Sequence, residues 1–288
     1  MDRYQNRMRM LISCPDRPGI VAAVSRYLFE RGANIVQSDQ HTTDPEGGIF
    51  LMRVEFDLPE ARQRVEEIKA GFEPVAREFG MSWRLECAWR RKRLAVFVSR
   101  EDHCLFELVR QREAGDLPAD IVLVISNHPH LGPVVESWSI PFHHIPVTPE
   151  TRAQAEEREL ELLRRERVDL VVLARYMQIL SPRFVREYPH RIINIHHGFL
   201  PAFKGANAYR QAYERGVKLI GATAHYVTDE LDAGPIIEQD VERVDHRDGV
   251  EDLKRIGRHI ERVVLARAVR WHVEDRVLVY DNKTVIFA

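Results

Sequence analysis

The sequence predicts an α/β protein made of two successive units, a small mixed unit followed by a mostly parallel sheet with helices on both faces. Three observations carry this reading. Residues 8–86 follow the order strand, helix, strand, strand, helix, strand. From residue 94 onward, continuous apolar runs alternate with helical patterns, as expected of strands covered on both faces. Between them lies a run of four basic residues, Arg90-Arg91-Lys92-Arg93, best read as a solvated linker. The expected boundaries are 1–86, a linker at 87–93, and 94–288.

In the first unit, residues 8–13 (MRMLIS) read as a strand and Pro15-Asp16-Arg17-Pro18-Gly19 as a turn. Residues 20–31 form an amphipathic helix that Gly32 stops, where a C-terminal glycine belongs. An extended stretch at 34–42, a turn at Asp44-Pro45-Glu46-Gly47-Gly48 and a strand at 49–58 follow. Pro59-Glu60 opens a helix at 61–79, and residues 81–86 make the last strand. This β-α-β-β-α-β order is the split βαβ pattern of ferredoxin-like units.

The second unit opens with strand 94–99 (LAVFVS) and helix 103–112. Strand 120–126 leads to a short helix near 131–138, and strand 142–147 to helix 150–167. Strand 170–174 (LVVLA) leads to helix 182–187, and strand 191–195 (RIINI) ends in His196-His197. Helix 206–215, strands 220–227 and 235–240 and a long helix at 250–272 come next. A hairpin of 277–280 and 284–287, turning at Asp281-Asn282, closes the chain. The pattern is Rossmann-like.

Composition narrows the function. The 288 residues carry 42 basic against 44 acidic side chains, a formal net charge of −2. That balance offers no global field to nucleic acid or to an anionic membrane. No apolar run reaches the ~18–20 residues of a membrane span, and none near the N-terminus makes a secretory signal; the expected location is the cytoplasm. Cys14, Cys87 and Cys104 share no CxxC spacing, which excludes a disulfide scaffold and fits a reducing compartment. The sequon Asn282-Lys283-Thr284 is then chance. GxGxxG after a strand, GxxxxGK[ST], HExxH and GxSxG are all absent, so dinucleotide oxidoreductases, P-loop NTPases, zincins and α/β-hydrolases lose their signatures. Neighbouring strand residues face opposite ways, so His128/His130, His143/His144 and His196/His197 each offer at most one inward ligand off a loop. No metal site is expected.

The informative segment is Asn194-Ile195-His196-His197-Gly198-Phe199-Leu200-Pro201-Ala202-Phe203-Lys204-Gly205. Asn194 and His196 lie two apart on a strand end, so their side chains share a face. In open α/β sheets, ligands bind outside the carboxyl ends of the strands. Asp232 follows in the polar loop Thr228-Asp229-Glu230-Leu231-Asp232-Ala233-Gly234 between two apolar strands. An amide, an imidazole and a carboxylate there would suit acyl chemistry: Asn for an oxyanion, His and Asp for proton transfer and orientation. The spacing alone fits a second reading equally, with Asn194 and Asp232 as turn residues and His196 a satisfied strand-end histidine.

NIHHGFLPAFKGANAYRQAYERGVKLIGATAHYV followed by LDAGPIIEQD resembles the catalytic core of the folate-dependent formyltransferases, whose pattern is Asn-x-His, Leu-Pro, Phe, Gly and later Asp-x-Gly-x-Ile-Ile. The doubled His196-His197, the N-terminal unit and the length are closer to the deformylase branch. The resemblance covers essentially the whole chain. It implies that Asn194, His196 and Asp232 act on the formyl group of 10-formyltetrahydrofolate, with either His196 or Asp232 as proton acceptor. It implies folate contacts at Arg175, Met177, Gln178, Ile179, Leu180, Val227 and Thr228, although Met177, Ile179 and Leu180 also read as plain core. CPDRPGIVAAVSRYLFERGANI is similar to an ACT domain, which implies a site for a small amino acid, glycine or methionine, at Asp16, Arg17, Gly19, Ile20 and Asn34, or a unit that only dimerises. A homodimer or homotetramer follows from the same likeness.

Two departures bear on the acceptor. Ser99-Arg100-Glu101-Asp102-His103-Cys104-Leu105 has no glycine where glycinamide-using transferases resembling this core carry a phosphate loop, and two acids make a poor phosphate cradle. Gly198 stands where many relatives carry serine. Water is therefore the expected formyl acceptor, folate the substrate, and no cofactor is needed. Such an enzyme supplies formate and balances the one-carbon pool for purine biosynthesis. The alternatives are formyl transfer to an amine, or a silent amino-acid-sensing protein.

Overall fold

The structure is a computed structural model describing residues 4–44, 46–202 and 207–288. Pro45 of the expected turn at 44–48, and residues 203–206 with the expected helix start, lie outside the described residues. The chain divides into two compact units. One holds the chain up to Arg91 with Glu274–Tyr280 and Val285–Ala288, and the other holds Lys92–Val273 with Asp281–Thr284.

The first unit contains β1 (Arg7–Pro15), α1 (Ile20–Glu30), β2 (Asn34–Thr42), β3 (Ile49–Asp57), α2 (Ala61–Phe79) and β4 (Ser82–Cys87). The sheet runs β2-β3-β1-β4, every pair antiparallel. Successive strand residues face opposite ways: Met8, Met10 and Ile12 pack with Val24 of α1 and Phe72 of α2, while Leu11 packs on the other face with Leu51.

That second face corrects the expected boundary at the C-terminus. The closing hairpin was expected to belong with the second unit, yet most of residues 274–288 cluster with the first. Leu278 and Phe287 cover Leu11 and Leu51. Arg53 of β3 is buried, and its Nε donates to the Asp275 carbonyl at 2.9 Å while Nη2 pairs with Glu55 at 2.6 Å. A guanidinium there needs such acceptors, because an unpaired buried charge is costly. The linker also contracts. Cys87 ends β4, and Lys92 and Arg93 open a strand. The backbone N–H of Arg93 donates to Asp169 Oδ2 at 2.9 Å and its Nε to the Glu166 carbonyl at 2.6 Å.

The second unit comprises β5 (Lys92–Val98), α3 (His103–Ala114), β6 (Ala119–Ser126), α4 (Gly132–Ser137), β7 (Phe142–His144), α5 (Arg152–Arg165), β8 (Leu170–Leu173), α6 (Pro182–Glu187), β9 (Ile192–His196), α7 (Ala208–Glu214), β10 (Leu219–Tyr226), β11 (Ile236–Arg243) and α8 (Val250–Val273). Its sheet order is β11-β10-β9-β8-β5-β6-β7. Strands β9, β8, β5, β6 and β7 are parallel, with β10 and β11 antiparallel at one edge. The chain lays β6 and β7 on one side of β5 and returns to place β8 and β9 on the other. Such a reversal opens a crevice at the carboxyl ends of the strands. Among the described residues, no helix is long and apolar enough to cross a membrane.

Candidate active site

The expected trio converges there. Asn194 and His196 come from β9, and the antiparallel register sets His225 of β10 opposite Asn194. His196 Nδ1 lies 3.3 Å from Asp232 Oδ2, and His225 Nε2 lies 3.8 Å from Asp232 Oδ1. Asn194 Nδ2 sits 3.2 Å from His225 Nε2, and His225 Nδ1 lies 2.9 Å from the Tyr226 carbonyl oxygen. A carbonyl only accepts, so Nδ1 carries the proton and Nε2 accepts from the Asn194 amide. Burial pushes the His225 pKa down, which keeps the ring in that neutral form. The Asn194 amide is thereby oriented by His225.

Asp232 adopts a left-handed φ of 54°, a conformation aspartate tolerates. Two residues on, a Cβ at Gly234 would lie 1.8 Å from the Tyr226 carbonyl oxygen, so the loop can pass that close only as glycine. The loop after the histidines is tied down as well. Thr223 Oγ1 donates to the Gly198 carbonyl at 2.9 Å and accepts from Leu200 N–H at 3.1 Å and Gln239 Nε2 at 2.9 Å.

These groups line a cavity of about 250 Å³ closed on one side by residues 175–180 and on the other by residues 227–232. Wall and cavity contain all seven expected folate residues, in three different settings. Leu180 is core, whereas Met177 and Ile179 stand more than half exposed at the rim. Arg175, with a left-handed φ of 64°, turns its guanidinium inward to Glu261, Nε to Oε2 3.3 Å. The wall's backbone is held by Ser99, whose Oγ accepts from Met177 N–H at 2.9 Å and donates to Asn127 Oδ1 at 2.7 Å.

The doubled histidine differs from the sequence expectation of one inward ring. Both His196 and His197 are buried and line the cavity, because β9 ends at His196 and strand alternation ends with it. Burial, then the charge of Arg175, pushes the His197 pKa down to about 4. Behind it, Glu261 accepts from Tyr209 Oη at 2.5 Å and contacts His103 Nε2 at 2.9 Å. His103, Cys104 and Glu261 bring three metal-ligating atoms within 4.8 Å. The donor set suits a proton network better than an ion: Glu261 already faces a guanidinium, and burial raises the Cys104 thiol well above its ordinary value.

The expected amino-acid site in the first unit comes together only in part. Gly19 opens α1 at φ 98° with no side-chain cap, and Ile20 behind it is buried. Asp16 accepts from Thr42 Oγ1 at 2.8 Å, and the Arg17 guanidinium lies 4.3 Å over the Phe79 ring. Asn34 is elsewhere. It pairs with Asp57, which pairs with Arg7 at the start of β1, whereas Asp16 follows the end of β1. Eight residue steps of strand separate the two levels, roughly 26 Å at 3.3 Å per residue. Helix α1 carries the chain back to the opposite end of the sheet, so helix start and helix exit cannot meet within one chain.

Comparison with known proteins agrees with this architecture. The family pattern described as Formyl transferase matches residues 92–269, and that described as ACT domain matches residues 9–70. The chain is 59% identical over 286 residues to the formyltetrahydrofolate deformylase of Bacillus subtilis, covering 99% of this chain and 95% of that one. It is 43% identical to the Escherichia coli deformylase, covering 95% of each. A crystal structure of a formyltetrahydrofolate deformylase from Pseudomonas syringae pv. tomato matches at a TM-score of 0.95 and 50% identity, covering 98% of this chain and 95% of that one. A glycinamide ribonucleotide transformylase from Symbiobacterium toebii matches at 0.65 and 32%, covering 69% of this chain and 95% of its own. Identity of this order along the full length, with an ACT domain preceding the formyl transferase region, makes the chain a member of the formyltetrahydrofolate deformylase family.

Proposed function

We propose that the cavity hydrolyses 10-formyltetrahydrofolate to tetrahydrofolate and formate, with water as the formyl acceptor. The observation that carries this reading is the Asp232–His196 pair at 3.3 Å beside an Asn194 amide already oriented by His225. Water attacks the formyl carbon as the pair, acting as one unit, takes its proton. The second Asn194 N–H stabilises the oxygen as it becomes negative. The tetrahedral intermediate then breaks its C–N10 bond, N10 takes a proton, and formate leaves. No electron-transfer step or cofactor enters, and the formate joins the one-carbon pool that purine biosynthesis draws on.

Folate lies along residues 175–180 and 227–232, with Met177, Ile179 and Leu231 as an exposed apolar rim. Water is favoured over an anionic amine by the start of α3. Ser99 is engaged by the wall, His103 is turned to Glu261, and Glu101 and Asp102 leave two carboxylates there. The uncapped start of α1 at Gly19 supports a small amino acid, such as glycine or methionine, as effector of the first unit, within a homodimer or homotetramer. Asn34 of a neighbouring copy would then complete a site that one chain leaves open.

The test is formate release from 10-formyltetrahydrofolate by purified protein, with and without glycine, methionine and added amines. Stoichiometric formate and tetrahydrofolate, with a rate moved by one of the amino acids, supports the whole reading. Formyl transfer outpacing hydrolysis would make it a transferase, and folate binding without turnover would make it a sensor.

A further inference from the structure

Arg175 and Tyr176, consecutive at the start of the cavity wall, send their side chains to two different glutamates, each about 1% exposed. Glu261 of α8 lies 3.3 Å from Arg175 Nε. Glu159 of α5 accepts from Tyr176 Oη at 2.8 Å. We propose that Glu159 and Glu261 are positioning residues of the substrate pocket, fixing the wall 175–180 through Tyr176 and Arg175 so that they set substrate affinity and leave the chemical step alone. The inference rests on the folate reading of the cavity.

The two anchors differ in kind. Glu261 works as a charge. Burial opposes its ionisation, but His103, Arg175 and Tyr209 hold its pKa below the ordinary value. Among the described residues it is the one carboxylate within 4 Å of the Arg175 guanidinium. Removing it leaves a largely enclosed cation whose Nε and Nη1 both lack a hydrogen-bond partner, and such a cation pulls toward water.

Glu159 works as a hydrogen-bonding carboxyl. No cation lies within 4 Å of it among the described residues, and burial pushes its pKa up to about 7. From its own helix Glu156 raises it further, while Arg152 acts on Tyr176. From the wall, the hydroxyl of Tyr176 donates to Glu159 and partly offsets that rise, and Tyr176 itself stays protonated, since burial and Glu159 push its phenol upward. The core around Tyr176 is otherwise apolar at Phe97, Leu173, Leu180 and Phe184, with Tyr188, just after α6, its other titratable member. Above neutrality the Glu159 carboxylate has no counter-charge, and its need for water favours a wall lifted off α5.

The experiment measures kcat and KM for formate release between pH 6 and 8.5, together with tetrahydrofolate affinity by fluorescence quenching. It compares wild type, Glu159→Gln, Glu261→Gln and Tyr176→Phe. Wild-type KM should rise severalfold above pH 7. Glu159→Gln, which keeps an acceptor for Tyr176 but cannot ionise, should hold KM flat. Glu261→Gln should raise KM and weaken tetrahydrofolate about tenfold, the effect of losing roughly one enclosed ion pair, with kcat within about threefold of wild type. Should Glu159→Gln fail to fold, Tyr176→Phe tests the same link, with raised KM and a flattened pH dependence expected. A wild-type pH profile retained in Glu159→Gln, or kcat falling while KM stands still, would overturn the inference. A wild-type protein that neither binds tetrahydrofolate nor releases formate would overturn the folate reading instead.

Discussion

Asn194, His196 and Asp232 stand within a few ångströms of one another, yet their substitutions should separate cleanly. Asp232→Asn keeps the shape and loses the proton acceptor, so turnover should fall by about 10²–10⁴ with tetrahydrofolate affinity unchanged. Near-normal hydrolysis would remove Asp232 from the mechanism. Asn194→Ala should cost about 10²–10³ in kcat, and a loss below tenfold would end its oxyanion role. His225→Phe frees the Asn194 amide to rotate, and losing one hydrogen bond of about 1.4 kcal/mol gives roughly a tenfold drop in kcat. Single-turnover formate release measures all three. Spacing alone put Asn194 and His196 on one face, because i and i+2 on a strand share a face, and their roles with Asp232 came from the family resemblance. His225 was not legible in the sequence. It sits inside the apolar run LIGATAHY, and only the β9–β10 register brings it to Asn194.

At the scale of elements, periodicity placed nearly every helix and strand. The expected ranges 34–42, 61–79, 182–187 and 277–280 coincide with β2, α2, α6 and the first strand of the closing hairpin. Turns were harder. The tight passage at Gly234 is invisible in LDAGPII, because it depends on where the Tyr226 carbonyl lies. Gly234→Ala should force that strand-joining loop apart, costing about 2–3 kcal/mol and lowering both Tm and kcat, since Asp232 rides on the same loop. Full activity with wild-type Tm would mean that the passage is not tight. Within one chain, Asn34 lies apart from Gly19 for a related reason. It follows the helix exit, and an eleven-residue helix of about 1.5 Å per residue separates that exit from the helix start.

For the whole molecule, two buried groups set opposing pH dependences. His197, held to about 4, resists protonation in the fold, so stability is lost as pH falls from about 6.5 toward 4. Glu159, raised to about 7, resists ionisation, so stability is lost as pH rises from about 4.5 to 7. Each shift is worth on the order of 3 kcal/mol, and over pH 4.5–6.5 the two oppose each other, with the depressed His225 adding to the His197 side. Across that window Glu159→Gln should gain more Tm than wild type as pH rises. A parallel slope in both proteins would contradict the assignment. Deleting residues 274–288 should uncover Leu11 and Leu51 and strip Arg53 of its Asp275 acceptor. Limited proteolysis with mass analysis should then cut first within residues up to 91, and initial cuts elsewhere would argue against that role for the tail.

The sequence by itself determined the element order, the change of rhythm near residue 90 and the shared face of Asn194 and His196, because these rest on periodicities of two and 3.6 residues and on short-range spacing. Tertiary structure alone decided which chain segment covers the second face of the first sheet, where the two histidines point, and which buried carboxylates receive Arg175 and Tyr176. Each of those joins groups far apart in sequence. A local pattern marks a residue as apolar or polar, and only packing selects the partner that makes its burial affordable.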